Sequence, residues 1–365
     1  MKKIITSESV NCGHPDKTCD IIADSFLDEA LKQDKNCQMA VECAIKDDLL
    51  MIYGEATTTA DIDYDGIAKR VLKDIGYDNE FKIIKKISCQ SPNIAQAVKK
   101  SQLCANDQGI MFGYATNENA AYMPYPILLA HRIMQVYDEY RRQNSNKYFP
   151  DAKSQVSVEY DGNKAVRVDT IVVSVSHAKG LNHSEILNDL KQNVINKVLA
   201  EYNQLKSDDV KYIVNPSGDF YIWGSFSDSG CVGRKIVVDT YGGVAKVGGG
   251  CFSSKNATKV DRSGAYYARY VAKNIVANNL AEKCEVELSY AIGLKEPVSV
   301  EINTFNTEKV DKDRLNKIVK NNFNFNVQNM IDELQLLNPI YANTACYGHF
   351  GRKEFPWEKV KKLNI

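Results

Sequence analysis

Residues 224–262, GSFSDSGCVGRKIVVDTYGGVAKVGGGCFSSKNATKVDR, hold eight glycines and six Lys or Arg in 39 residues, and no other stretch restricts the fold as strongly. Glycine loses more backbone entropy on ordering than any other residue, so such a run opposes a long helix or strand and favours turns and close backbone approaches. Two readings follow. In one, the glycines are tight turns and the lysines are solvated. In the other, backbone N–H groups and the charges of Arg234, Lys235, Lys255 and Lys259 cradle a polyanion. The coincidence of glycines with fixed charge favours the cradle. It is not a familiar phosphate loop: Lys235 lacks the context of G-x-x-x-x-G-K-[ST], and Gly248, Gly249 and Gly250 do not form G-x-G-x-x-G. Acids also stand among the cations, and Asp228 and Asp261 point to a bound cation, either Mg²⁺ or an ammonium group.

The rest of the composition narrows the class. The 46 Lys and Arg balance 46 Asp and Glu across 365 residues, so no global field selects nucleic acid or a membrane surface. Ten cysteines are scattered without C-x-x-C pairs, and the amino terminus shows neither a signal peptide nor a long apolar span. A soluble, cytoplasmic protein with free thiols is expected. Cys12 and His14 form at most half a zinc site, with no matching pair downstream.

Along the chain, a strand over 3–6 precedes GHPDK, and a helix is expected from about Asp16 to Gln33, with Pro15 in its first turn and Ile21, Ile22, Phe26 and Ala30 at helical spacing. His14 and Asp16 therefore sit at a helix N-terminus, where anions are favoured; alternatively His14 is a simple cap. A hairpin of 39–46 and 49–56 turns at Asp47-Asp48 and carries Glu42 and Glu55 on facing strands. A helix over 61–75 and a strand over 83–89 follow. Residues 91–106 have no clean period and read as a mobile loop of the kind that covers sites.

Further on, a helix over 126–142, a hairpin turning at Asp161-Gly162 and a helix over 183–199 are expected, with His177 and His183 at the surface. After the glycine-rich stretch come a helix over 263–280, with Tyr267, Tyr270 and Asn274 marking one side, a strand pair, helices near 311–321 and 326–336, and a frayed, basic end. The hairpin-plus-helix theme repeats about three times, which gives an α+β protein of three modest domains. Their limits are read as 1–90, 107–222 and 223–361, with the loop 91–106 between the first two.

The motifs GHPDK (13–17), GEATTTA (54–60), DQGIMFGYATNE (107–118), DAKSQV (151–156), GRKIVVDTYGG (233–243), KVDRS (259–263) and CYGHFGR (346–352) resemble the S-adenosylmethionine synthetase family, in order and over nearly the whole chain. The resemblance implies three similar domains in pseudo-threefold arrangement, each a mixed sheet with helices on one face. It implies a homodimer with active sites at the interface, two such dimers pairing into a tetramer, and ATP and L-methionine as substrates. It further implies attack of the methionine sulfur on ribose C5′, release of triphosphate, and its cleavage to pyrophosphate and phosphate.

By the same resemblance, His14, Lys153, Arg234, Lys235 and Lys255 are the catalytic groups. ATP is met by these together with Asp151, Phe220, Asp228 and Cys251. Glu55, Gln90, Asp107, Asp228 and Lys259 surround methionine, with Gln90 and Glu55 coming from a partner chain. Asp16 and Asp261 are assigned to Mg²⁺, two ions per site, and Glu42 to K⁺. Asp219, Ser225, Cys231, Cys251 and Ser254 depart from the family pattern, and none of these departures removes a charged catalytic group. The competing reading is a non-catalytic subunit that keeps the fold and binds an active partner.

Overall fold

The computed structural model describes residues 2–89, 103–205 and 207–365. Eleven strands form three sheets among these residues, and each sheet mixes segments far apart in the chain. β1 (Lys2–Val10) is followed by α1 (Pro15–Gln33), the hairpin β2 (Gln38–Lys46) and β3 (Leu49–Thr57), α2 (Tyr64–Ile75) and β4 (Lys82–Ser88). Next come β5 (Gly109–Thr116), α3 (Tyr125–Gln143), β6 (Tyr148–Asp161) and β7 (Lys164–His177). A helix expected over 183–199 is α4 (His183–Leu190) and α5 (Asn196–Glu201) joined by a π-helical turn. β8 (Lys211–Val214), β9 (Gly230–Cys231), a single α-helical turn (Ile236–Asp239), α6 (Val260–Ala277), β10 (Lys283–Tyr290), β11 (Ser299–Asn303), α7 (Lys312–Asn322) and α8 (Val327–Glu333) follow.

The sheets run β1-β6-β7-β8, β4-β3-β2-β9 and β11-β10-β5. The first two are mixed, through the parallel pairs β7–β8 and β3–β4; the third is antiparallel throughout. The N-terminal strand thus completes the central sheet, β9 of the glycine-rich stretch caps the N-terminal one, and β5 lies in the C-terminal one. The three α+β units are bound together by this exchange of strands.

Local chemistry explains the elements. α1 starts with Pro at its first position and His14 as cap, and α2 is capped by the Asp63 side chain on the Gly66 N–H and ended by Gly76 at φ 124°. The β6–β7 turn uses Gly162 at φ 58°, as a two-residue hairpin loop requires. One helix departs from its expected amphipathic pattern. α6 is buried on every side from Arg262 to Val276, because β5 lies so close that a Cβ on Gly113 would sit 2.0 Å from the Ala268 carbonyl carbon. The polar residues of α6 are neutralised inside: Arg269 pairs with Glu358 at 2.9 Å and Arg262 with Asp24 at 2.7 Å, all four side chains fully buried.

Other expectations need correction. His177 is buried, its ring accepting the Phe220 N–H at 3.3 Å and its backbone N–H donating to the Phe220 carbonyl at 2.9 Å; His183 is exposed as expected. The C-terminal end is pinned rather than frayed: Leu363 is buried, and its N–H donates to Asn278 Oδ1 at 3.2 Å. The loop expected over 91–106 lies outside the described residues through residue 102, as does Gln90. Its end is held, with the Ala105 N–H donating to the Leu294 carbonyl at 2.8 Å. None of the ten cysteines is joined to another in a disulfide, and among the described residues no helix is long and apolar enough to cross a membrane.

Candidate active site

The site is assembled where β1 runs into α1. Val10 pairs with Lys153 on β6. The chain then continues alongside β6, the Asn11 N–H donating to the Ala152 carbonyl at 2.9 Å and the Gly13 N–H to Pro150 at 3.2 Å. Gly13 is needed there, since a Cβ would lie 2.5 Å from the Pro150 carbonyl carbon. This pairing carries Asp151 and Lys153, more than a hundred positions from His14 in sequence, into one corner with it.

His14 is buried, and its Nδ1 accepts the Asp16 N–H at 3.2 Å. Burial first, then the charges of Lys235 and Lys153, lower its pKa to about 3. The ring is therefore neutral at physiological pH, and with Nδ1 accepting, its proton lies on Nε2, which is left as a donor. Its role as a helix cap and a role toward a ligand thus use opposite nitrogens.

Asp16 is the junction between the helix and the glycine-rich stretch. Its Oδ1 accepts the Cys231 N–H at 3.0 Å and its Oδ2 meets Lys235 Nζ at 2.6 Å, with Arg234 at 3.5 Å. Burial opposes its charge, but Lys235 and the Cys231 N–H overcome that and hold the carboxyl below its ordinary range. Gly230 makes the approach possible: a Cβ there would lie 2.2 Å from the Pro15 carbonyl carbon and 2.7 Å from the Asp16 nitrogen. Burial pushes Asp151 up to about 6, against the Gly224 N–H that its Oδ2 accepts at 2.9 Å. Lys153, Asp228 and Arg234 are exposed toward solvent, and Phe220 is half-buried.

A second group lies on the next turns of the same stretch. Lys255 Nζ is 2.5 Å from Asp261 Oδ2, and the Lys255 backbone bridges to Ala40 of β2. Gly250 leaves room for the Asp261 carboxylate, which a Cβ would meet at 2.3 Å. Lys259 Nζ lies 3.8 Å from Glu55 Oε1. Burial lowers the Lys259 pKa, with Glu55 opposing it and Asp107 also acting on it. The two groups touch where Cys251 packs against Gly233, whose added Cβ would meet the Cys251 Cβ at 2.5 Å.

Glu55 thus stands beside Lys259 of its own chain. Glu42 and Glu55 point to the same face of the N-terminal sheet, since Glu42 pairs with Tyr53 and Ala40 with Glu55. Among the described residues no three His, Cys, Asp or Glu side chains converge as a ready-made metal cage; Asp16, Asp261 and Glu55 are paired with lysines instead.

Sequence comparison places these residues in a known context. The N-terminal, central and C-terminal domain models of S-adenosylmethionine synthetase match residues 2–102, 102–220 and 222–359.

The chain belongs to the S-adenosylmethionine synthetase family.

Relatives named S-adenosylmethionine synthase agree over full length. The protein of Mycoplasma mycoides subsp. mycoides is 47% identical, with 100% of this chain and 96% of that protein covered. The Staphylococcus epidermidis protein is 46% identical over 100% and 97%, and that of Mesoplasma florum 45% over 100% and 99%.

The family motifs drew attention to charged residues that face solvent, and away from a buried set behind them. Lys17 of GHPDK is fully buried, 2.8 Å from Asp20 Oδ2 and paired also with Asp239. Asp24 holds Arg262 through both oxygens, at 2.8 and 2.7 Å. A sequence signal existed. Asp16, Asp20, Asp24 and Asp28 recur every four residues along α1, a like-charge spacing that destabilises an isolated helix and so demands donors from elsewhere.

Proposed function

We propose that this chain synthesises S-adenosylmethionine from ATP and L-methionine, by attack of the methionine sulfur on ribose C5′. The triphosphate so released is then cleaved to pyrophosphate and phosphate at the same site. The observation that carries this reading is the convergence of His14, Asp16, Arg234 and Lys235 at the α1 N-terminus beside Lys153, in a member of this family.

A thioether is nucleophilic without losing a proton, so the reaction asks for no general base. Its difficulty is the expulsion of a highly charged leaving group, which fixed positive charge and oriented donors stabilise without reorganisation. Lys153, Arg234, Lys235 and Lys255 supply that charge. The His14 Nε2–H supplies a neutral donor at the junction of ribose and phosphate. Asp151 and Phe220 are read as the nucleoside end, with Asp228 and Cys251 beside the nucleotide. Glu55, Gln90, Asp107, Asp228 and Lys259 are read as the methionine end, acids toward its ammonium and Lys259 toward its carboxylate.

Asp16 and Asp261 are the candidate ligands of Mg²⁺, and Glu42 of K⁺. Single carboxylates suit Mg²⁺, which keeps most of its shell as water and substrate phosphate and needs no protein cage. When bound, such ions neutralise phosphate charge. A homodimer is supported by the outer face of the N-terminal sheet, where Met51, Tyr53 and Ile84 are exposed beside Glu42 and Glu55. A cytoplasmic location is supported by the ten cysteines, none joined to another in a disulfide.

The test is to incubate the pure chain with ATP, methionine, Mg²⁺ and K⁺ and resolve the products. S-adenosylmethionine, pyrophosphate and phosphate are expected. Normal ATP binding with no S-adenosylmethionine would mean the non-catalytic subunit, and release of ADP or AMP would mean a phosphotransferase.

A further inference from the structure

The four aspartates of α1 are each turned toward the C-terminal third of the chain, and each accepts a backbone N–H from it. Asp16 takes Cys231 at 3.0 Å, Asp20 takes Gly233 at 2.9 Å, and Asp24 takes Ser254 at 3.0 Å. Asp28 takes Tyr341 at 2.8 Å and Ala342 at 2.9 Å. Asp20 and Asp24 are fully buried and lie behind the cradle, out of reach of a ligand. The peptides they grip are placed tellingly: Gly233 immediately precedes Arg234 and Lys235, and Ser254 immediately precedes Lys255. Arg262, locked by Asp24, adds a bond of 3.1 Å to the Lys255 carbonyl.

We infer that Asp20 and Asp24 are positioning residues that set the reach of the cradle cations, Asp20 for Arg234 and Lys235 and Asp24 for Lys255, through the main chain of the residue before. This rests on the proposed polyphosphate role of those cations. The physical ground is that loops carry large conformational freedom, whereas a charge-assisted hydrogen bond donated by a loop N–H to a buried carboxylate on a rigid helix is roughly twice as strong as a neutral one. Turning an i, i+4 ladder of carboxylates toward the glycine-rich loops makes the helix a ruler against which the cations are aligned. Asp28 is the built-in comparison, because it uses the same kind of bond to grip a segment that carries none of those cations.

The experiment measures Mg²⁺-tripolyphosphate binding by calorimetry, and thermal midpoint, for the full chain, Asp20→Ala and Asp28→Ala. Asp20→Ala should bind tripolyphosphate about tenfold more weakly or worse, as expected for roughly one lost charge-assisted bond, and should lower kcat while leaving KM for methionine nearly unchanged. Asp28→Ala should lower the thermal midpoint while keeping wild-type tripolyphosphate affinity. Equal losses of affinity in both variants, in a wild-type chain that makes S-adenosylmethionine, would overturn the inference alone. A wild-type chain that binds no tripolyphosphate would overturn it together with the reading it rests on. If Asp20→Ala does not fold, hydrogen exchange of the wild type decides: the Gly233 and Ser254 amides should be protected like the core of α1, and exchange at free-loop rates would refute the tether.

Discussion

Gly230→Ala is the sharpest single perturbation of the site, because the added atom points at backbone that cannot yield. Its Cβ would lie 2.2 Å from the Pro15 carbonyl carbon, 2.3 Å from its oxygen and 2.7 Å from the Asp16 nitrogen. Carbon atoms rest at about 3.5 Å or more, so the 230–235 segment must withdraw from α1 by roughly 1.3 Å. The Cys231 N–H to Asp16 bond, now 3.0 Å, would lengthen to about 4 Å, beyond hydrogen-bonding range. Overpacking of this kind costs about 1–3 kcal/mol, and losing a hydrogen bond to a buried charged group about 1.5–3 kcal/mol. Because one movement causes both, a combined loss of about 2–4 kcal/mol is expected rather than the full sum. The catalytic effect should be larger. Lys235 and Arg234 move with the segment, and a displacement near 1 Å of positioned groups costs about a hundredfold in rate. Urea unfolding and steady-state turnover at a temperature where the variant stays folded measure the two effects separately. Wild-type turnover in the folded variant would refute the claim that Gly230 sets the distance between the cradle and the helix.

Two further outcomes follow from the same geometry. The His14 ring should remain neutral from pH 8 down to pH 5 in an NMR titration, and Lys235→Met should raise its pKa while burial still holds it below the ordinary value; titration of the wild-type ring near 6.5 would contradict the structure. The sign for stability follows: the folded pKa, about 3, lies below the unfolded one, about 6.5, so His14's contribution is intact above about pH 6.5 and is lost as pH falls toward 3. Lys255→Ala should lower turnover about a hundredfold or more, as loss of a leaving-group stabiliser does, with KM for methionine changed only a few-fold; equal losses in the two would mark Lys255 as structural.

Much of the fold was legible because its signals are local. Pro15 and the apolar spacing marked α1, Asp47-Asp48 and Asp161-Gly162 marked two hairpins, and the ordered motifs marked the family. The solvent-reaching cations proposed for the site were legible by the same motifs, since Arg234, Lys235 and Lys255 stand in the glycine-rich stretch and Lys153 in DAKSQV. The errors were all of one type. His177 looked like a surface residue until Phe220 closed over it, α6 looked one-sided until Gly113 let β5 pack against it, and the basic tail looked loose until Asn278 bonded it.

The sequence by itself determined what each segment requires: a turn, a cap, an apolar face to cover, a charge to neutralise. Which segment satisfies each requirement was decided only by the tertiary structure. Nothing in residues 2–10 announces pairing with 153–161, and nothing in α1 announces that donors to Asp16, Asp20 and Asp24 lie beyond position 230. The physical reason is that a carboxylate or an unpaired strand edge states a need for donors without naming them. Partners are selected when all buried polar groups are satisfied at once, and that is a property of the whole folded chain.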